Sequence, residues 1–180
     1  KLENDGGAQY ENFNISAELV DYYKRTRGVF ETFETRLDGS IDNVTRKQIL
    51  DGLGEAANDY RQHIYNQSFW GRKRSISKEG LVRFIDISLD YLEHSIRANK
   101  RPDNLYHAYN LMTVDTDEVS IDHLNEMLEG QVAVLSSGYL SAEESLDVLN
   151  SLKWSSLFRR DQYSYILYPN RQLPRFTEKN

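Results

Sequence analysis

Three long stretches of this chain carry apolar residues at three- and four-residue steps, and that periodicity limits the folds open to it. Over residues 17–37 the stripe is Leu19, Tyr22, Tyr23, Val29, Phe30, Phe33 and Leu37. Over 43–65 it is Val44, Ile49, Leu50, Leu53, Ala57, Tyr60 and Ile64, and over 78–99 it is Leu81, Phe84, Ile85, Leu89, Leu92 and Ile96. Each pattern predicts an amphipathic helix with one buried face. Asn14 or Ser16 offers a side-chain oxygen to the free amides of the first helix, and Asp38-Gly39-Ser40 ends it. Gly52 and Gly54 weaken the second helix and predict close approach by another. Arg101-Pro102-Asp103-Asn104 breaks the third.

Two shorter helices are expected downstream. One covers 121–135 and stops at Ser136-Ser137-Gly138; the other opens on the capping box Ser141-Ala142-Glu143-Glu144, with Leu146, Leu149 and Leu152 behind it. Residues 105–112 are apolar and aromatic but too short to assign. From Tyr163 to Tyr168 the pattern becomes extended, ending at Pro169. The expected fold class is therefore all-α: consecutive antiparallel helical hairpins, part of an α/α toroid or a helical bundle, with a short extended segment near the C-terminus. Residues 1–13 read as a polar N-terminal linker, and 14–180 as a single helical domain or part of a larger one. The sequence opens at Lys1 without Met and closes at Glu178-Lys179-Asn180 without a helix stop, which predicts a piece of a longer parent chain.

Composition narrows the function. A length of 180 residues supports one good core. The net charge of −6 argues against non-specific nucleic-acid binding, which requires a cationic surface to displace counterions. The one basic cluster, Arg72-Lys73-Arg74 with Lys78, reads as a solvated turn and not as a phosphate site. No cysteine is present, which removes disulfides, thiolate zinc sites and cysteine nucleophiles together. No apolar run approaches membrane-spanning length, so no membrane partner is expected. The 12 tyrosines read as ordinary half-buried helix residues in preference to a sugar- or partner-binding surface.

Chemical motifs are sparse. Counting from Asp115, a calcium loop would need an oxygen donor at Val119 and a glycine at Ser120, so the acidic run 115–118 reads as the N-terminus of the following helix. His63, His94, His107 and His123 share no metal-ligand spacing, and no metal or cofactor is expected. Glu126 and Glu129 lie three apart, on one face of a helix over 121–135. A carboxylate pair can serve glycoside chemistry, but such acids usually face each other across a cleft, and this spacing is common on helix surfaces. The stretch Leu157-Phe158-Arg159-Arg160-Asp161-Gln162-Tyr163 crowds charged, amide and aromatic groups ahead of an apolar run. Such groups form either a structural network or a ligand-facing rim.

Three segments carry a resemblance: Leu105-Tyr106-His107-Ala108-Tyr109-Asn110-Leu111, then Glu126 through Gly138 with Leu140 through Glu144, then Asp161 through Pro169 with Leu173-Pro174-Arg175-Phe176. They are similar to segments of large bacterial proteins that look like cellobiose-phosphorylase relatives, built as an (α/α)₆ toroid of helical hairpins. The resemblance spans roughly residues 105–180. It implies a carbohydrate-active parent in which a single carboxylate acts on a glucan or oligosaccharide, and it assigns that acid to no position here. It implies sugar contacts from Tyr106, His107, Glu129, Asp161, Gln162 and Tyr163. A full ring of hairpins needs roughly twice this length, so this chain is not expected to be a competent enzyme alone. The alternative expectation is a non-catalytic helical interaction or scaffold module whose Tyr-rich faces bind a protein partner.

Overall fold

The computed structural model describes residues 11–170 and 175–178. Ten positions of the expected linker, and Leu173-Pro174 of the third resembling segment, lie outside the described residues. The chain divides into two compact units: the residues up to His94 with Val114–Ser120, and Ser95–Thr113 with the residues from Ile121 onward.

The first unit is built on three long helices. Ser16 is the N-cap of α1 (Ala17–Phe33), its hydroxyl accepting from the Leu19 amide. A 3₁₀ turn, Glu34–Asp38, connects it to α2 (Asn43–Gln67), which Asp42 caps through the Thr45 amide and hydroxyl, both at 2.8 Å. Tyr22 stacks on Tyr60, Arg25 pairs with Asp59, and Val29 meets Gly52, so α1 and α2 run antiparallel. A Cβ on Gly52 would lie 2.9 Å from Val29 Cγ2, the close approach that its glycine predicts, whereas Gly54 meets nothing. Helix α3 (Lys78–Ala98) lies along α1 through Tyr23–Phe84, Phe30–Phe84 and Phe30–Tyr91 ring contacts. Tyr23 and Tyr91 donate their hydroxyls to the Gly80 and Phe30 carbonyls, the half-buried role expected of tyrosine here.

The second unit surrounds an aliphatic core. Leu105, Tyr106, Val134, Val148, Leu152 and Leu157 pack together, with Ile96, Leu128, Leu135 and Leu140 against them. Its helices are α4 (Leu128–Ser136) and α5 (Ala142–Trp154), joined through Gly138 at φ +75°. Ser141 and Glu144 form the expected capping box on α5.

The all-α expectation is overturned. Among the described residues 56% of the chain is helical, in five helices, and 15% is strand, in three two-stranded antiparallel sheets; the class is mixed α/β. Strand β1 (Asn12–Ser16) pairs with β2 (Lys73–Ser77), with Phe13 opposite the buried Ile76. This ladder absorbs the end of the expected linker and the basic cluster. Strands β3 (Leu111–Val114) and β4 (Val119–Asp122) form the second sheet. There the acidic run is a turn, closed by the Asp115 amide donating to the Glu118 carbonyl, and not a helix N-terminus. Val119 is buried and its carbonyl accepts from Arg46 at 2.7 Å, a fixed extended position that a helix beginning at 121 does not reach. Helix α4 accordingly starts seven residues later than expected, its Leu128 amide satisfied by the Leu167 carbonyl. Strands β5 (Phe158–Arg159) and β6 (Ser164–Tyr165) make the third sheet, where extended structure was expected only from Tyr163. Among the described residues no helix is long and apolar enough to cross a membrane.

Candidate functional site

Helix α5 has two chemically distinct faces. Val148 and Leu152 enter the core, while Asp147, Asn150, Ser151 and Trp154 recur at three- and four-residue steps on another side. With Asp103, Asn104 and Ser155 they line an open groove of ≈ 360 Å³. Trp154 is 75% exposed, and the Arg160 guanidinium lies 5.1 Å from its ring centre. That contact holds the indole by cation–π attraction and leaves the rest of its surface open. Asn104 adopts φ +63°, and the turn is fixed by Asp103, which accepts two hydrogen bonds from Arg101 at 3.0 and 2.9 Å and one from the Leu105 amide. The Arg101 guanidinium, first among these partners, keeps the Asp103 carboxyl below the ordinary range, so the groove retains an ionised acceptor at one end.

The six residues expected to contact sugar are not brought together. Tyr106 is 4% exposed and belongs to the core; burial, then nearby Glu144 and Tyr139, pushes its phenol up. Its backbone is clamped by the buried Gln131 amide, which accepts from the Tyr106 N–H and donates to its carbonyl, each at 2.8 Å. His107 stacks on His123 at 4.0 Å, with its Nδ1 directed at the Leu124 carbonyl. Burial, then His123, lowers its pKa, with Arg101 adding to this and Leu124 and Asp103 opposing it. Parallel rings at that separation have no common in-plane point for an ion, so the pair is not a metal clamp. Glu129, exposed in the first turn of α4, accepts from the Tyr109 hydroxyl at 2.9 Å. Glu126 is separately engaged by Ser156 and Arg101, so the two glutamates do not share a helix face.

Asp161, Gln162 and Tyr163 lie on the turn between β5 and β6. Asp161 accepts two hydrogen bonds from Arg159, at 2.9 and 2.7 Å, which lower its pKa; Tyr163, at φ +49°, sets its ring edge-on to Phe158. Among the described residues no hydrogen bond or ring contact joins this turn to Tyr106, His107 or Glu129. The turn does reach the α5 groove, through Arg160.

The leucine spacing of α5 does not point to Trp154 and its neighbours. The signal was present: Asp147, Asn150, Ser151 and Trp154 have helical spacing. Comparison with protein-family models and with curated proteins finds no match for this chain.

Proposed function

We propose that this chain contributes saccharide contacts to a carbohydrate-active protein resembling glycan phosphorylases and is not catalytic alone. The observation that carries the reading is the α5 groove, where an exposed indole stands among two carboxylates, two asparagine amides and two serine hydroxyls. A pyranose ring offers C–H groups to an aromatic face and hydroxyls to carboxylates and amides, so this lining matches both halves of its surface. Asp147, Asn150, Ser151, Trp154 and Ser155 of the groove fall within the span 105–180, between the segments that carry the resemblance to cellobiose-phosphorylase relatives. Asp161, Gln162 and Tyr163 then form a rim, and Tyr106 supports the groove from the core.

Calorimetric titration with cellobiose and longer β-glucans tests this. Binding is expected, and Trp154→Ala or Asn150→Ala weakens it roughly tenfold, about 1.4 kcal/mol. An absence of binding to every oligosaccharide tested contradicts the proposal.

One observation favours the second reading, an interaction module. Ile85, Leu89 and Leu92 form an exposed apolar row on α3. That reading predicts self-association or a captured partner, and light scattering showing a monomer at all concentrations, with no partner retained, counts against it.

A further inference from the structure

Glu18 is the second residue of α1, yet it is only 5% exposed. A carboxylate taken out of water needs hydrogen-bond donors. One oxygen has a donor, the Trp70 amide at 2.7 Å. The other, Oε2, is buried without a partner, and so is Nε2 of His63. The Trp70 amide, first among the causes, and then Glu18's own amide hold the Glu18 carboxyl below its ordinary value; burial opposes this, and His63 and the Ser16 hydroxyl add to it. Glu18 is therefore ionised near neutral pH and retains an unmet acceptor.

These groups line a cleft of ≈ 150 Å³ in the first unit, room for on the order of ten waters or one small organic molecule. Its walls are aromatic. Tyr22 and Tyr60 stack at 5.3 Å, and Trp70 meets His63 edge-on at 4.3 Å. Its lining holds three carboxylates against one guanidinium. Asp59 is already paired with Arg25, and Asp21 with Arg74, which leaves Glu18 without a guanidinium partner. The loop carrying Trp70 is bent by Ser68 at φ +60° and Gly71 at φ +70°, which turns the Trp70 amide onto Glu18.

We infer that this cleft binds a small organic ammonium ion. An ammonium group carries three donors and no acceptor, so it satisfies Glu18 Oε2 and an accepting His63 Nε2 together. The aromatic walls attract the same charge through their ring faces. A neutral ligand gains neither the charge-assisted bond nor the cation–π attraction, and an anion meets three carboxylates.

The test is a ¹⁵N-resolved titration of the full chain with n-butylammonium and, separately, its neutral analogue 1-butanol. Butylammonium should shift the Trp70 indole and His63 ring signals and bind at least about tenfold more tightly than butanol. Glu18→Gln, which keeps an acceptor for the Trp70 amide, should remove that difference. Glucosamine against glucose, and Nα-acetyl-lysine amide, identify whether an amino sugar or a lysine side chain is the better source of the ammonium. Equal affinity for butylammonium and butanol, or for glucosamine and glucose, overturns the inference. So does unchanged butylammonium binding by a folded Glu18→Gln variant. Should that variant fail to fold, the wild-type comparison of ammonium with alcohol decides alone.

Discussion

The two units reach a packed state by different means. In the first, helices of 17, 25 and 21 residues meet largely through aromatic pairs and tyrosine hydroxyls, and the fully buried residues are scattered along them. In the second, helices of 9 and 13 residues are too short to be stable alone, and a contiguous aliphatic cluster with a buried amide clamp holds them. Long helices spread their stabilisation over many half-buried contacts, whereas the short ones concentrate it in a few side chains. Damage to the second unit should accordingly be severe and local.

Leu157→Ala breaks that comparison most sharply. Leu157 is fully buried in the second core, and its truncation should cost about 2–5 kcal/mol in urea unfolding. Hydrogen exchange should show protection lost across α4 and α5 and kept in α1 and α2; equal loss in both units contradicts the difference drawn between them. Gln131→Leu comes next. It strips partners from the Tyr106 N–H and carbonyl, at roughly 1–3 kcal/mol for a buried group left unsatisfied, read from the same urea curves.

A glycine pair sharpens the contrast. A Cβ at Gly130 would sit 2.7 Å from the Ala108 Cβ, so Gly130→Ala should destabilise by about 1–3 kcal/mol. Gly28, inside α1, has nothing within 4 Å, and Gly28→Ala should stabilise by roughly 0.4–1 kcal/mol through helix propensity and the unfolded chain. Thermal melts of the two variants should move in opposite directions.

The smallest effect expected is in pH dependence. Because the folded pKa of His107 lies below the usual 6.5, the folded state binds its proton less well than the unfolded chain. Its contribution is complete above pH 6.5 and is lost as pH falls through the lower folded value. The lowered carboxylates of the first unit, Glu18 and Asp42, begin to lose theirs only below their ordinary 4.5 and 3.8. Protection factors, corrected for the intrinsic pH dependence of amide exchange, should therefore fall in the second unit between pH 6.5 and 4.5 and hold in the first, and His107→Gln should flatten the fall.

The sequence was most readable where a local signal decided the structure. Ser16, the Ser141–Glu144 box and the stop at Gly138 act within a turn or two of their own position, and each does what its chemistry predicts. Strands β1 and β2 were hidden because a ladder of five residues depends on a partner far along the chain, Phe13 opposite Ile76, and because polar residues occupy most of it. The start of α4 was misplaced because Ile121 and Leu124 match a helical step as well as they match the strand and loop that Val119 anchors. At the expected sugar site, residue type alone did not separate a core tyrosine such as Tyr106 from an exposed one such as Tyr163.

Each unit contains one of the two tryptophans, Trp70 lining the Glu18 cleft and Trp154 the α5 groove. On the proposals above, the cleft takes an ammonium ion and the groove a saccharide, each independently of the other. Following both indole N–H signals while cellobiose and then butylammonium are added tests it most directly. Cellobiose should move the Trp154 signal and leave Trp70 in place, and butylammonium should do the reverse. Movement of both signals with either ligand, or of neither with both, contradicts the account.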